Sequence, residues 1–226
     1  MRVVTIDGPA GAGKSTVARR LAERLGWCLL DTGAMYRTVA LAALQSSVPL
    51  QDDAAMGRLA SGLDARFLPG RVFLQGEDVT LEIRRIEITR STKYAADSPS
   101  VRKQLVSWQR EFARTQGPIV TEGRDQGTIV FPNALRKFFL TATDEERARR
   151  RHAELVAKGE TIAVEDVLRD VRERDAQDRA RAIAPMVPAD DALIVDSTGL
   201  ELDQVVDLLE REIPRTPDHS PGSSSS

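Results

Sequence analysis

Cysteine and histidine are nearly missing from this 226-residue chain: Cys28 is the one cysteine, and His152 and His219 are the two histidines. That scarcity excludes a disulfide framework and a zinc-type Cys/His cluster, and Cys28 reads as a small core hydrophobe. No apolar run approaches the ~18 residues that a membrane span requires. The chain enters its first apolar stretch at residue 3 with no charged-then-apolar leader, so neither export nor a membrane partner is expected and the cytoplasm is the expected location. The net charge of −2 provides no overall basic field, and no nucleic-acid partner is expected. Lysine is also scarce, with 27 of the 32 cationic residues being arginine. Arginine offers a planar, permanently charged fork for phosphates and carboxylates, but high genomic G+C content produces the same bias, and composition does not separate the two.

What is present suits an ordinary globular protein, with 41% hydrophobic and 29% charged residues. Strand-length apolar stretches recur at Val3–Ile6, Trp27–Leu30, Ile119–Thr121, Lys137–Thr141 and Leu193–Asp196. Helical patterns separate them, such as Val101, Leu105, Trp108 and Phe112, or Leu202, Val205, Val206 and Leu209. Alternating strands and helices predict an α/β fold of three layers, with a five-stranded parallel sheet covered on both faces. Between Leu63 and Thr89 short alternating runs around Pro69-Gly70 and Gly76 predict a small antiparallel meander, an insertion and not a second full domain. The Pro- and Ser-rich end, Pro214 to Ser226, is expected to be disordered.

One segment carries a specific chemistry. Val3–Ile6 breaks into Gly8-Pro9-Ala10-Gly11-Ala12-Gly13-Lys14-Ser15-Thr16, the spacing of a phosphate-cradling loop between a strand and a helix. Glycines let backbone N–H groups curl around phosphate oxygens, Lys14 brings a cation to the β and γ phosphates, and the Ser15 hydroxyl is placed to ligate Mg²⁺. Val17, Ala18, Leu21, Ala22 and Leu25 follow at helical spacing and Gly26 closes them, so the loop opens a helix whose positive end faces the anion. The single asparagine, Asn133, rules out the Asn-Lys-x-Asp guanine-reading motif, and a Leu-Ser-Gly-Gly-Gln signature is missing, which weakens the reading as a nucleotide-dependent switch or regulatory module.

A donor site leaves the acceptor to be found. Leu29-Leu-Asp-Thr-Gly-Ala-Met-Tyr-Arg37 ends a strand in Asp31 and Thr32 and carries Arg37 one turn into a helix. Ile119 to Pro132 is another apolar strand, ending in a glycine turn that presents Arg124 and Asp125. Ligands of such sheets bind beyond the carboxyl ends of the strands, where both loops fall. From Thr161 onward Val164, Val167, Leu168 and Val171 form an apolar stripe whose continuation lands near Arg174, Asp178 and Arg181. Those charges form either a buried ion-pair network or the wall of a cleft for a polar anion, and the cleft explains the pattern better. Arg147, Arg149, Arg150 and Arg151 crowd one turn; they read either as a solvated face screened by Glu145 and Glu146 or as counter-charge for the donor, with Arg147 and Arg151 on one face and Gly159 as a flexible point.

Taken together, Gly8–Thr16, Leu30–Arg37, Glu122–Pro132 and Arg174–Pro185 resemble the bacterial cytidylate kinases, relatives of adenylate kinase among the nucleoside monophosphate kinases. The likeness runs from about residue 3 to residue 210. It implies one kinase domain over 1–213, with a core of 1–31, 117–145 and 183–213, a monophosphate-binding region over 32–116 enlarged by the insertion at about 63–89, and a short helical lid at about 146–170. It also implies ATP with Mg²⁺, CMP or dCMP as acceptor, and a protein expected to be a monomer. At matching positions Asp31 and Thr32 join the acceptor site, Arg37, Arg124 and Arg181 hold the acceptor phosphate, Arg174 and Asp178 meet the ribose, and Arg102 and Asp125 read cytosine. Lys93, with Thr92 beside it, stands where the family usually has serine, and the contact is assigned to neither.

Cytosine presents an amino donor and a ring-nitrogen acceptor where uracil presents the reverse, so a carboxylate and a guanidinium suit one and mismatch the other. Transfer between two polyanions is opposed mainly by electrostatics, and an acceptor phosphate with a second pKa of about 6 needs no general base. Lys14 is expected to travel with the γ phosphate while Arg124, Arg147 and Arg151 neutralise its equatorial oxygens.

Overall fold

A computed structural model describes residues 1–68, 70–157 and 159–214; the expected disorder of the C-terminal end, Pro214 apart, lies outside the described residues. In chain order the elements are β1 (Val3–Asp7), α1 (Lys14–Leu25), β2 (Cys28–Asp31), α2 (Thr32–Gln45), α3 (Asp53–Ser61), β3 (Ala65–Leu68), β4 (Arg71–Leu74) and β5 (Glu77–Asp78). A 3-10 helix (Glu82–Arg84) leads into α4 (Ile86–Asp97), α5 (Pro99–Gln116) and β6 (Ile119–Gly123). A π-helical turn (Gln126–Val130) precedes β7 (Arg136–Thr141), α6 (Asp144–Ala157), α7 (Val164–Ala180), β8 (Leu193–Asp196) and α8 (Leu202–Arg211). No described helix is long and apolar enough to cross a membrane.

The five long-range strands form one parallel sheet in the order β2-β6-β1-β7-β8. The central strand β1 is buried on both faces, and its side chains alternate. Val4 and Ile6 pack with Val17, Leu21, Phe138, Leu140, Val206 and Leu209 on the α1/α8 side. Val3 packs with Leu30, Met35, Val39, Leu105 and Ile119 on the α2/α5 side. The same alternation sends Thr5 and Asp7 to the α2/α5 side, and on β6 it sends Glu122 with Val120 toward α1.

The antiparallel sheet β3-β4-β5 rests on α2 through a separate apolar cluster that includes Ala40, Leu41, Val72, Leu74, Val79, Ile83 and Ile88. It is shorter than the alternation from Leu63 to Thr89 predicts. The Asp78 side chain accepts from Thr80 N at 3.0 Å, a turn that ends β5, and the chain continues through the 3-10 helix into α4.

Candidate active site

The glycine loop leaves β1 where the sequence places it. Gly8, Gly11 and Gly13 have φ values of 146°, 75° and 87°, and a Cβ on Gly8 would lie 2.0 Å from the Leu140 carbonyl oxygen, so the loop approaches β7 more closely than any side chain permits. Lys14 opens α1, and its buried Nζ donates to the Pro9 carbonyl at 2.6 Å. Burial first, then the nearby Arg124, push the Lys14 pKa down to about 7. Ser15 Oγ donates to Glu122 Oε1 at 2.9 Å.

Facing the loop across the strand ends stands a bank of paired charges. Arg124 Nε donates to Asp178 Oδ2 at 2.8 Å, and Arg181 Nη2 lies 2.7 Å from Asp178 Oδ1, so one carboxylate holds both arginines. Burial alone would raise the Asp178 pKa, but Arg124 and Arg181 hold it below the ordinary carboxylate value. Arg181 also donates to Asp97 at 2.8 Å. The Arg174 side chain makes no hydrogen bond or ion pair with a described residue; desolvation and then Arg124 lower its pKa to about 10, and it remains a cation. Arg102 and Asp125 form a buried ion pair, with Arg102 also donating to Tyr36 Oη at 3.2 Å. Burial pushes the Tyr36 pKa up to about 12. Arg37 and Asp31 meet at 3.5 Å at the start of α2, whose first turn Asp31 caps by accepting from Ala34 N at 2.8 Å.

Lys14, Arg124, Arg174, Glu122 and Asp178 therefore share one electrostatic neighbourhood, while Arg102 and Asp125 sit deeper beside Tyr36 and Arg181. Two sequence expectations are corrected. Thr32 is 4% exposed and its hydroxyl donates to the Glu122 carbonyl at 2.7 Å, so it stitches α2 to β6 and does not reach the cleft. Arg147 is 1% exposed and lies beneath the glycine loop, donating to Ala10 O at 2.7 Å and Ala142 O at 3.1 Å and pairing with Asp144 and Asp175. Four of its five N–H donors are taken up by these groups, and its burial beneath the loop holds it away from the equatorial oxygens. Arg151 is half-buried and pairs with Glu154 at 2.9 Å, near enough to Arg174 to weaken that group's hold on its proton.

Three residues of this site carry no role in the sequence reading. Glu122 faces Ser15, and the period of β6 that puts it beside Val120 is the signal for it. Asp175 accepts from Ala10 N at 3.2 Å and follows Val167 and Val171 at helical spacing. Asp7 accepts from Gln126 N at 2.8 Å and Gly127 N at 2.7 Å, holding the turn that follows Asp125. Arg110 grips the far end of that turn through the Ile129 and Val130 carbonyls, both at 3.0 Å.

A family model described as cytidylate kinase matches residues 4–215. The cytidylate kinase of Pasteurella multocida (strain Pm70) is 48% identical over 208 residues, covering 90% of this chain and 91% of that protein. That of Bordetella bronchiseptica (strain ATCC BAA-588 / NCTC 13252 / RB50) is 48% identical over 204 residues, covering 90% and 91%. Among solved structures, an uncharacterized protein from Eubacterium ventriosum ATCC 27560 superposes with a TM-score of 0.53 at 15% identity, over 94% of this chain and 97% of that one, a likeness of fold alone. With nearly every described residue inside the family match and close to half of the positions shared with its named relatives, the chain belongs to the cytidylate kinase family.

Proposed function

We propose that this chain transfers the γ-phosphoryl group of ATP to the 5′-phosphate of CMP, and of dCMP, giving ADP and the pyrimidine diphosphate. The observation that carries the reading is the closeness of Lys14, on the donor loop, to the Arg124–Asp178–Arg181 cluster on the acceptor side. Phosphoryl transfer needs little covalent help from the protein; it needs fixed cations and in-line alignment. Lys14 and the N–H groups of residues 8–16 bind the donor phosphates, Arg37, Arg124 and Arg181 bind the acceptor phosphate, and Arg174 and Asp178 meet the ribose. Arg102 donates to the cytosine ring while Asp125 accepts from its amino group.

Ser15 and Glu122 place two hard oxygen donors 2.9 Å apart beside the loop, which fits Mg²⁺ held mainly by nucleotide phosphates. Among the described residues no group of three or more His, Cys, Asp or Glu side chains is arranged to hold an ion by itself. Bound there, Mg²⁺ supplies charge neutralisation on the donor phosphates. The segment over about residues 146–170 forms the lid, and its closure over both nucleotides excludes water that would otherwise hydrolyse ATP.

A coupled ADP-release assay with CMP, dCMP, UMP, AMP and shikimate tests the proposal. CMP and dCMP are expected to turn over fastest, with ADP release near background when no acceptor is present. Faster turnover of AMP or shikimate, or rapid acceptor-independent hydrolysis, overturns it.

A further inference from the structure

The Asp31 carboxylate that caps α2 holds two arginines, one on each oxygen. Arg37 Nη2 lies 3.5 Å from Oδ1, and Arg84 Nη2 lies 3.4 Å from Oδ2. Arg84 comes from the insertion, on the 3-10 helix that follows the small sheet. Its backbone is fixed. Ile83, one residue before it, is fully buried in the cluster containing Ala34, Ala40, Leu41, Val79 and Ile88, and Ile83 N donates to Val79 O at 3.0 Å. Arg84 N and Arg85 N continue the turn to Leu81 O and Glu82 O at 3.1 and 3.0 Å.

Two further observations give this corner an unmet appetite for an anion. The buried Arg37 Nε has no hydrogen-bond acceptor among the described residues. Burial, opposed by Asp31 and reinforced by Arg84, holds the Arg37 pKa below its ordinary value, as expected for two like charges sharing one counter-ion. The backbone also makes room, because a Cβ on Gly33 would lie 2.9 Å from Arg37 Nη1. A half-exposed pair at the Arg84–Asp31 distance adds little to stability, so folding alone gives no reason for the insertion to aim a guanidinium here.

We propose that Arg84 is a further binding residue for the 5′-phosphate of the acceptor, delivered by the insertion so that Arg37 and Arg84 grip the monophosphate from two sides. The proposal rests on the reading of CMP as acceptor. Each guanidinium has five N–H donors and spends few of them on Asp31, while a phosphate monoester dianion offers three terminal oxygens for charge-assisted bonds. Asp31 keeps both arginines oriented before the acceptor arrives. The contact reads phosphate and not base, so it is indifferent to the pyrimidine attached.

Steady-state kinetics on the full chain test this with Arg84→Gln and Arg84→Lys, varying CMP and UMP at saturating ATP and ATP at saturating CMP. Arg84→Gln is expected to raise KM for CMP and for UMP by the same factor, about tenfold, as for loss of one charge-assisted bond. The CMP/UMP ratio of kcat/KM, KM for ATP and Tm stay near wild type, and Arg84→Lys recovers part of the loss. An unchanged KM for CMP overturns the proposal. So does a parallel change in KM for ATP or in the CMP/UMP ratio, which would make Arg84 a tether for the whole acceptor half. Wild-type protein inactive on CMP overturns the acceptor reading itself, a result visible before any substitution is made.

Discussion

Arg147 and Asp175 form an ion pair 2.6 Å long beneath the glycine loop, and the two side chains take both backbone polar groups of one residue, Ala10. Each side chain is 2% exposed. The pair ties α6 at Arg147 and α7 at Asp175 to the donor loop, leaving the ends of these helices remote from Ala10 outside that anchor. Removing one partner leaves a buried charge unpaired, at a cost of about 3–5 kcal/mol. Arg147→Ala and Asp175→Ala are each expected to lower Tm by roughly 10 °C. The double variant Arg147→Met with Asp175→Leu should recover much of that loss. Thermal unfolding of all three checks the expectation, and single variants that melt with the wild type would refute it.

Lys14 is expected to bind a proton when ATP binds. Its pKa of about 7 lies below that of a free lysine, and phosphate oxygens on Nζ favour the charged form. At pH 7.5 the uptake should exceed roughly half a proton. Calorimetry in buffers of different ionisation enthalpy measures it directly, and Lys14→Met should abolish it. That variant should also lower kcat, by about 100- to 1000-fold, far more than it raises KM.

Asp125→Asn keeps shape but turns one acceptor oxygen into a donor. The expected result is a CMP/UMP ratio of kcat/KM reduced by about 100-fold or more, because the buried pairing no longer opposes uracil. An unaltered ratio would remove Asp125 from base reading.

Asp7 holds the turn after Asp125 and is itself buried, with its pKa raised to about 7 by desolvation. An unfolded chain releases that proton near the ordinary aspartate value of 3.8. Between those values the native state keeps a proton that the unfolded state has lost, so this contribution to stability declines as pH rises from about 4 to 7. Urea unfolding at pH 5 and pH 8 should therefore show wild type losing stability relative to Asp7→Asn as pH rises. Kinetically, the substitution disturbs one of the two N–H contacts and should raise KM for CMP about tenfold while KM for ATP changes less than twofold.

Periodicity made much of the fold legible. The short apolar runs mark all five strands of the parallel sheet, and the glycine spacing marks the loop and the helix it opens. The strands also extend one or two residues further, to Asp7, Asp31 and Gly123, because backbone pairing continues past the last apolar side chain. Arg147 was hidden because a run of arginines has the composition of a solvated face, and only a partner 28 residues later, Asp175, makes its burial tolerable. Asp175 itself stood in view, four residues beyond Val171 on the inward stripe. The π-helical turn had no local signal at all: Asp7 and Arg110 stabilise its two ends from elsewhere in the chain.

The carboxylates that pair the site's arginines also govern how the cleft behaves among small ions. Asp31, Asp125 and Asp178 offset only part of the charge of Arg37, Arg84, Arg102, Arg124 and Arg181, so the cleft keeps a net positive charge, and orthophosphate and sulfate at high concentration are expected to compete with the acceptor.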